Sequence, residues 1–411
     1  MTITPATPWL SRPAHRQYLR DQAEALFAFF ERRAFNPKGG FHELSVEGLP
    51  IKATNPMRGI HGTARMVHCF AIAGLFGRPG AAEIVDHGMN FLWNSHRDAE
   101  RGGYYWAVDD NGPADKGRKQ GYGHAFVLLA ASSAKLVGHP LADQMIADVT
   151  EVLETHFWEE QHGAIAEEFN ADWSAIAPYH GQNSNMHLTE ALMAAFEATG
   201  NRAYLKKAER IADLIINRRA RENGWRVAEH FDADWNVDKA YAGDPMFRPS
   251  GTTPGHWLEW SRLVLQLWAL GGKQHAWMLE ASEALFRASV TIGWDNKFGG
   301  FFYNLDWNDK PDQPHKLWWP MCEAIGAAAF LGAHRPSEFH ESWYRRIWDV
   351  VARHHLDDTY GGWHEQLTHD MRPAHSLFAG KGDIYHALQA CLIPLYPAEG
   401  SLTKGIIETD G

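Results

Sequence analysis

Apolar residues recur at intervals of three and four in twelve segments of the chain, the pattern of helices that bury one face. DQAEALFAFFERR (21–33) comes first and GDIYHALQACLIPLY (382–396) last. Between them lie five pairs: 61–76 with 81–96, 123–137 with 141–157, 185–199 with 202–219, 254–270 with 275–292, and 318–333 with 337–354. A second pattern separates the pairs. GGFHE (39–43), GGYYWAVDDNG (102–112), HGAIAEEFNADW (162–173), NGWRVAEHFDADW (223–235), GGFFYNLDWND (299–309) and GGWHEQLTHD (361–370) each alternate apolar and polar residues after a glycine. These stretches predict short hairpins or extended loops. Counted from Gly40, Gly103, Gly163, Gly224, Gly300 and Gly362, the steps are 63, 60, 61, 76 and 62. A fixed period of that size denotes stacked copies of one supersecondary unit.

One helix, five pairs and one helix make six helical hairpins if the terminal helices complete each other. The expected fold is therefore all-α, an (α/α)6 barrel of twelve helices in one domain spanning 1–411, with the glycine stretches at one end. An open superhelix of helix pairs leaves the two half-units without partners. The step of 76 places an insertion at 236–253, rich in Gly and Pro, a candidate lid beside a pocket.

In each unit the first helix after the glycine stretch is the more apolar, as an inner ring requires, yet each opens on polar or aromatic residues in nearly the same phase. Arg58 and Arg65 follow Gly40 by 18 and 25; Tyr122 and His124 follow Gly103 by 19 and 21; Asn183 and His187 follow Gly163 by 20 and 24. Past the insertion, His256 and Glu259 follow Gly224 by 32 and 35; Trp319 and Glu323 follow Gly300 by 19 and 23; Asp383 and His386 follow Gly362 by 21 and 24. A lone polar residue near a helix start is ordinarily a cap or a solvated turn. Six sets in register point instead to one shared cavity. His61, His68 and His87 fall outside this phase and are expected in the core or on the surface.

Composition narrows the chemistry. A formal charge of −11 with no basic run argues against a nucleic-acid partner. Three widely spaced cysteines form neither a disulfide framework nor a CxxC metal site. The opening MTITPATPWLSRP is no signal peptide, and no apolar run is long enough for a membrane; the expected compartment is the cytoplasm. A homodimer is compatible with the sequence, although no apolar stripe on the outer helices specifies one. The pocket set is rich in imidazole, which titrates near neutrality and suits proton transfer. Thr252 or Thr253 and then Pro254 set His256 at a helix N-terminus. Glu259, one turn on, is positioned to accept the other ring N–H of His256. Asp383 and His386 repeat the three-residue spacing. Two oriented imidazoles suggest proton abstraction beside a carbonyl. Glu259 and Glu323 as a glycosidase pair would leave the histidines unused. A metal site of the Glu-x-x-His kind meets the reverse order, His-x-x-Glu, here. Binding carbohydrate without chemistry needs no set of imidazoles.

Several of these stretches, TARMVHCFA, GYGHAF, NSNMHLTEA, PGHWLEW, KLWWPMCEA and KGDIYHAL, in this order resemble the N-acylglucosamine 2-epimerase superfamily over nearly the whole chain. PGHWLEWSRL and WWPMCEAIGAA are most similar to its mannose isomerase and sulfoquinovose isomerase branch. The resemblance implies an (α/α)6 barrel that interconverts an aldose and a ketose, mannose and fructose foremost, without metal or cofactor. It implies that His386 moves a proton between C2 and C1 through a cis-enediol. His256, supported by Glu259, would be the partner acid/base. Arg65, Tyr122, Asn183, His187, Trp319, Glu323 and Asp383 would hold a monosaccharide, with Arg58 and His124 at the margin of that set. The same two histidines serve the family's 2-epimerases, so the residues leave isomerase and epimerase both open.

Overall fold

The computed structural model describes residues 7–51, 53–244, 246 and 248–410. Thirteen α-helices lie among them: α1 (Pro13–Arg33), α2 (Ile60–Leu75), α3 (Ala81–Phe91), α4 (Gly121–Leu136), α5 (Ala142–Val152), α6 (Gln182–Thr199), α7 (Arg202–Ala212), α8 (Pro254–Leu270), α9 (Ala276–Ala288), α10 (Trp318–His334), α11 (Glu338–Val350), α12 (Tyr385–Leu392) and α13 (Leu402–Asp410). The even-numbered helices α2 to α12 form an inner ring in which each packs on the next and α12 returns to α2. Each inner helix carries an outer partner, and α12 takes α1, so the two chain ends complete the sixth hairpin. The fold is an (α/α)6 barrel. Nearly every residue of α10 is buried, which small side chains such as Ala324, Gly326, Ala327 and Ala328 permit. Outer α7 buries only a stripe, Tyr204, Leu205, Ala208, Ile211 and Ala212.

Two features depart from the expectation of twelve plain helices. Helix α13 is additional and packs against α2; it is too short for its periodicity to stand out, and it is started by Ser401, whose hydroxyl accepts the Lys404 N–H at 3.2 Å. Five outer helices also end in a π-helical turn, at 92–96, 153–157, 213–220, 289–293 and 351–355. Among the described residues no helix is long and apolar enough to cross a membrane.

The six repeat glycines all adopt left-handed backbone, with φ of 66°, 78°, 72°, 64°, 73° and 71° from Gly40 to Gly362. At Gly103 a Cβ would stand 2.6 Å from the Trp173 ring, so both conformation and space require glycine. The stretches that follow link neighbouring units into a continuous rim. Residues 58–59 pair with 107–108, 119–120 with 168–169, 180–181 with 230–231, and 316–317 with 366–367. Thr252 bridges to Leu305, and Ser45 to Gly380, which closes the circle. Beneath three of these turns a buried lysine meets an aspartate five residues before the glycine: Lys119–Asp98 at 2.9 Å, Lys316–Asp295 at 3.0 Å, and Lys381–Asp357. Each aspartate also accepts turn amides.

Candidate active site

The rim decides what reaches the mouth of the barrel. The first amides of α2, α4, α6 and α10 donate to the carbonyls of Trp106, Glu167, Glu229 and Glu365, at 2.9, 2.8, 3.1 and 3.2 Å. These four residues occupy equivalent rim positions, each above the start of an inner helix. Three are buried glutamates.

His256 lies in the first turn of α8, after Thr253 and Pro254 as the sequence predicts. Its Nδ1 is 2.9 Å from both oxygens of Glu229. Gln182 donates to Glu229 at 3.0 Å and accepts from Trp260 at 2.7 Å, which fixes the carboxylate in turn. Glu259 is therefore not the partner of His256, contrary to expectation. One helical turn further along, Glu259 sits deeper in the barrel, 3.8 Å from His187 Nδ1 and 4.0 Å from Arg262. The side chain at the helix start leans outward to the rim instead.

His386 forms the second pair: its Nδ1 is 2.9 Å from Glu323, whose other oxygen accepts from Arg262 Nε at 2.9 Å. Asp383 stands just before α12 and accepts the His386 backbone N–H at 3.1 Å and the Trp318 indole N–H at 3.0 Å. Its other oxygen meets Arg65 at 3.3 Å. Arg65 donates to the Tyr122 hydroxyl at 2.9 Å and lies between the Phe126 and Tyr385 rings. Trp319 flanks both imidazoles, with ring centroids 4.9 Å from His256 and 6.0 Å from His386.

The deep wall holds Glu190, Glu259 and Glu323 around Arg262, which is 3.6, 4.0 and 2.9 Å from them. Three carboxylates facing one cation divide unequally. Burial and the neighbouring Glu323 push Glu259 well above the usual carboxylate range, which favours its protonated form. Burial opposes ionisation of Glu323 too, but Arg262 and His386 hold its pKa low. Glu190 is held low against the same burial by His187, Arg262 and the hydroxyl of Tyr385. His187 is driven down to about 4, chiefly by burial, and is neutral. Tyr122 is pushed up to about 12, also by burial. Asn183 Oδ1, His187 Nδ1 and Glu259 Oε1 are buried polar atoms without a hydrogen-bonding partner in the protein, the groups that a polyhydroxylated ligand satisfies.

Two predicted positions stand apart. Arg58 precedes α2 and binds Asp110 at 2.8 Å and the Gly39 carbonyl at 3.3 Å, joining two rim turns. His124 spends both nitrogens on backbone, on the Gln120 carbonyl at 2.7 Å and the Tyr104 amide at 3.0 Å. Its pKa falls to about 4 through burial. Conversely His61, set aside by its phase, stacks on Trp106 at 4.9 Å and faces the edge of Tyr122. His68 and His87 bond Ser133 and the Gly40 carbonyl, away from the imidazole pairs. The sequence reading missed Glu229, Arg262, Glu190 and Gln182. Arg262 continues the three-residue stepping of His256 and Glu259 on α8, and Glu190 follows His187 by three. Glu229 carried no such signal, because its partner lies across an insertion.

The expected lid at 236–253 is seated on the rim, with Pro245 and Phe247 outside the described residues. Arg248 reaches Glu168 at 3.2 Å and Glu167 at 3.5 Å, and His230 bonds the Pro249 carbonyl at 2.7 Å. Tyr241 stacks on His230 at 3.8 Å.

The atoms of two trios, His187–Glu190–Glu259 and Glu259–Glu323–His386, lie within 4.8 Å of one another, close enough to share a cation. The Arg262 guanidinium already stands among their carboxylates. The sequence pattern of the N-acylglucosamine 2-epimerase (GlcNAc 2-epimerase) family matches residues 39–390. The chain belongs to this family. A D-mannose isomerase of Thermobifida fusca is 41% identical over 98% of this chain and 100% of its own length. A D-mannose isomerase of Pseudomonas cannabina pv. alisalensis is 40% identical over 98% of each. The crystal structure of a D-mannose isomerase superposes with a TM-score of 0.87 and 32% identity, covering 93% of this chain and 99% of that one. Both relatives thus match nearly the whole of this chain.

Proposed function

We propose that the chain is an aldose–ketose isomerase that interconverts D-mannose and D-fructose, with the lyxose–xylulose pair as the smaller analogue. The observation that carries this reading is the pair of carboxylate-backed imidazoles, His256–Glu229 and His386–Glu323, both beside Trp319. A carboxylate on Nδ1 fixes the tautomer with the proton on that nitrogen, leaving the Nε2 lone pair free as a base. The two nearly full-length relatives named D-mannose isomerase support the substrate.

In this reading His386 takes the proton from C2 of the open-chain aldose. Electrons shift to give a cis-enediol, and the proton returns to C1 to leave the ketose. His256 accepts and donates hydroxyl protons in ring opening and between O1 and O2. Glu259, whose protonated form burial favours, is placed to donate to an oxygen that gains negative charge. Arg65, Tyr122, Asn183, His187 and Trp319 hold the hydroxyl groups and the apolar face of the sugar. In this scheme every proton moves between the sugar and the two imidazoles, and no step is routed through a metal ion. Hydrolysis by Glu259 and Glu323 fits poorly, since Glu323 spends its two oxygens on His386 and Arg262.

A 2-epimerase uses the same two bases on opposite faces of C2, and the flanking imidazoles favour keeping it as the second reading. Incubation with mannose in deuterated water, followed by NMR, separates the two. Fructose appearing supports the isomerase, whether or not the proton on His386 exchanges with solvent before it returns to C1, and glucose deuterated at C2 supports the epimerase; formation of neither sugar sinks both. His386→Asn should abolish exchange with the fold intact.

A further inference from the structure

Among the described residues Arg262 is the cation that the three deep-wall carboxylates share; its side chain is 2% exposed, and it reaches the proposed base through a single intermediary. Its Nε donates to Glu323 Oε2 at 2.9 Å, and Glu323 Oε1 accepts from His386 Nδ1 at 2.9 Å. Arg262 and Glu323 come from adjacent inner helices, α8 and α10, while His386 comes from α12. Three elements thus converge on one carboxylate. Resting on the isomerase reading, we infer that Arg262 is a positioning residue for proton transfer: it holds Glu323 ionised and in line with Nδ1 of His386, and so keeps the Nε2 lone pair of that ring turned to the sugar.

The argument is one of competition. A carboxylate buried this deeply prefers to take up a proton, and a protonated Glu323 would donate to Nδ1 instead of accepting from it. That exchange reverses the tautomer and removes the base. Arg262 prevents it with a hydrogen bond that only an ionised carboxylate makes strongly. The other charged groups around His386 do not substitute. Asp383 on its own segment takes the backbone N–H and is paired with Arg65 of α2. Glu190 of α6 is a second anion and works against ionisation of Glu323. Glu259 of α8 is an acid whose burial disfavours its charge, and His187 of α6 is neutral. Tyr385 of α12 donates to Glu190.

The test is a cycle of Arg262→Gln, Arg262→Lys and Glu323→Gln, followed by kinetics, pH profiles and long-range proton–nitrogen NMR of the His386 ring. Arg262→Gln should lower kcat about 100-fold with KM within about threefold. Its acidic limb in kcat/KM should move to higher pH, because Glu323 holds a proton more tightly without the cation. Arg262→Lys should restore part of kcat and the original tautomer. In the Glu323→Gln background either Arg262 substitution should cost nothing more. Unchanged ring signals and acidic limb in Arg262→Gln would overturn the proposal. So would a loss that simply adds to that of Glu323→Gln. If Arg262→Gln does not fold, the Arg262→Lys arm of the cycle decides by the same additivity. The ring measurement needs no turnover: a protein that forms no fructose from mannose refutes the isomerase reading, while the tautomer still decides what Arg262 does.

Discussion

Glu229 grips His256 through both carboxylate oxygens, each 2.9 Å from Nδ1, although 27 residues and a long insertion separate the two. The carboxylate belongs to the rim and the imidazole to the first turn of α8. Glu229→Gln replaces the acceptor with an amide that can present its donor instead. We expect kcat to fall about 100-fold with little change in KM. Glu259→Gln should leave the His256 ring tautomer as it is, and ring NMR of the two variants checks the assignment. A tautomer that responds to Glu259→Gln and ignores Glu229→Gln would refute it.

The insertion at 236–253 is anchored by a partly exposed ion pair, Arg248 with Glu168 and Glu167, and by Tyr241 on His230. Arg248→Ala should loosen this loop and raise KM about fivefold, the scale of one such pair. Cleavage of the loop by trypsin or chymotrypsin should quicken in parallel. Equal cleavage rates and an unchanged KM would show that the loop is no lid.

Acid should weaken the fold before it protonates ordinary carboxylates. Burial holds His68, His96, His124, His187 and His355 each to about 4, below the ordinary 6.5. The unfolded chain therefore binds more protons than the folded one between those values. Stability is complete above 6.5 and is lost as pH falls towards 4, by up to about 1.4 kcal/mol per pH unit for each ring. Melting temperature measured from pH 8 to 4.5 should fall below 6.5, where these five rings outweigh the opposing proton uptake of buried Glu365, whose pKa burial raises to about 8. A constant value down to pH 5 would contradict the burial of these rings.

The buried lysines under the rim turns are the positions where one substitution should cost most. Lys119 is fully buried, donates to Asp98 at 2.9 Å and to the Ala171 carbonyl at 2.9 Å. Lys119→Ala strands a buried carboxylate, and we expect a loss of about 3–5 kcal/mol in urea unfolding. A loss below 1 kcal/mol would mean that water reaches Asp98.

Much of the barrel is legible in the sequence because its determinants are local. Helical periodicity depends on neighbours three and four apart. The six glycines mark turns whose backbone other residues resist, with φ from 64° to 78°. Together they set the repeat, the helix count of the double ring and the phase in which side chains enter its mouth. Arg65, Tyr122, His187, His256, Trp319, Glu323, Asp383 and His386 come together for that reason. The same phase also selected Arg58 and His124, because periodicity says where a side chain starts and not what it meets.

Tertiary structure decided the pairings. His256 turned to Glu229 and His386 to Glu323, across 27 and 63 residues. Which carboxylate meets which imidazole depends on how the rim strands register over the inner helices, a relation between elements that no short window contains. Protonation was settled at the same level. Glu190, Glu259 and Glu323 are chemically alike in sequence; their distances to one buried guanidinium and to each other lower the pKa of Glu190 and Glu323 and raise that of Glu259. Local periodicity built the ring, and long-range electrostatics in its low-dielectric interior made the glutamates unequal.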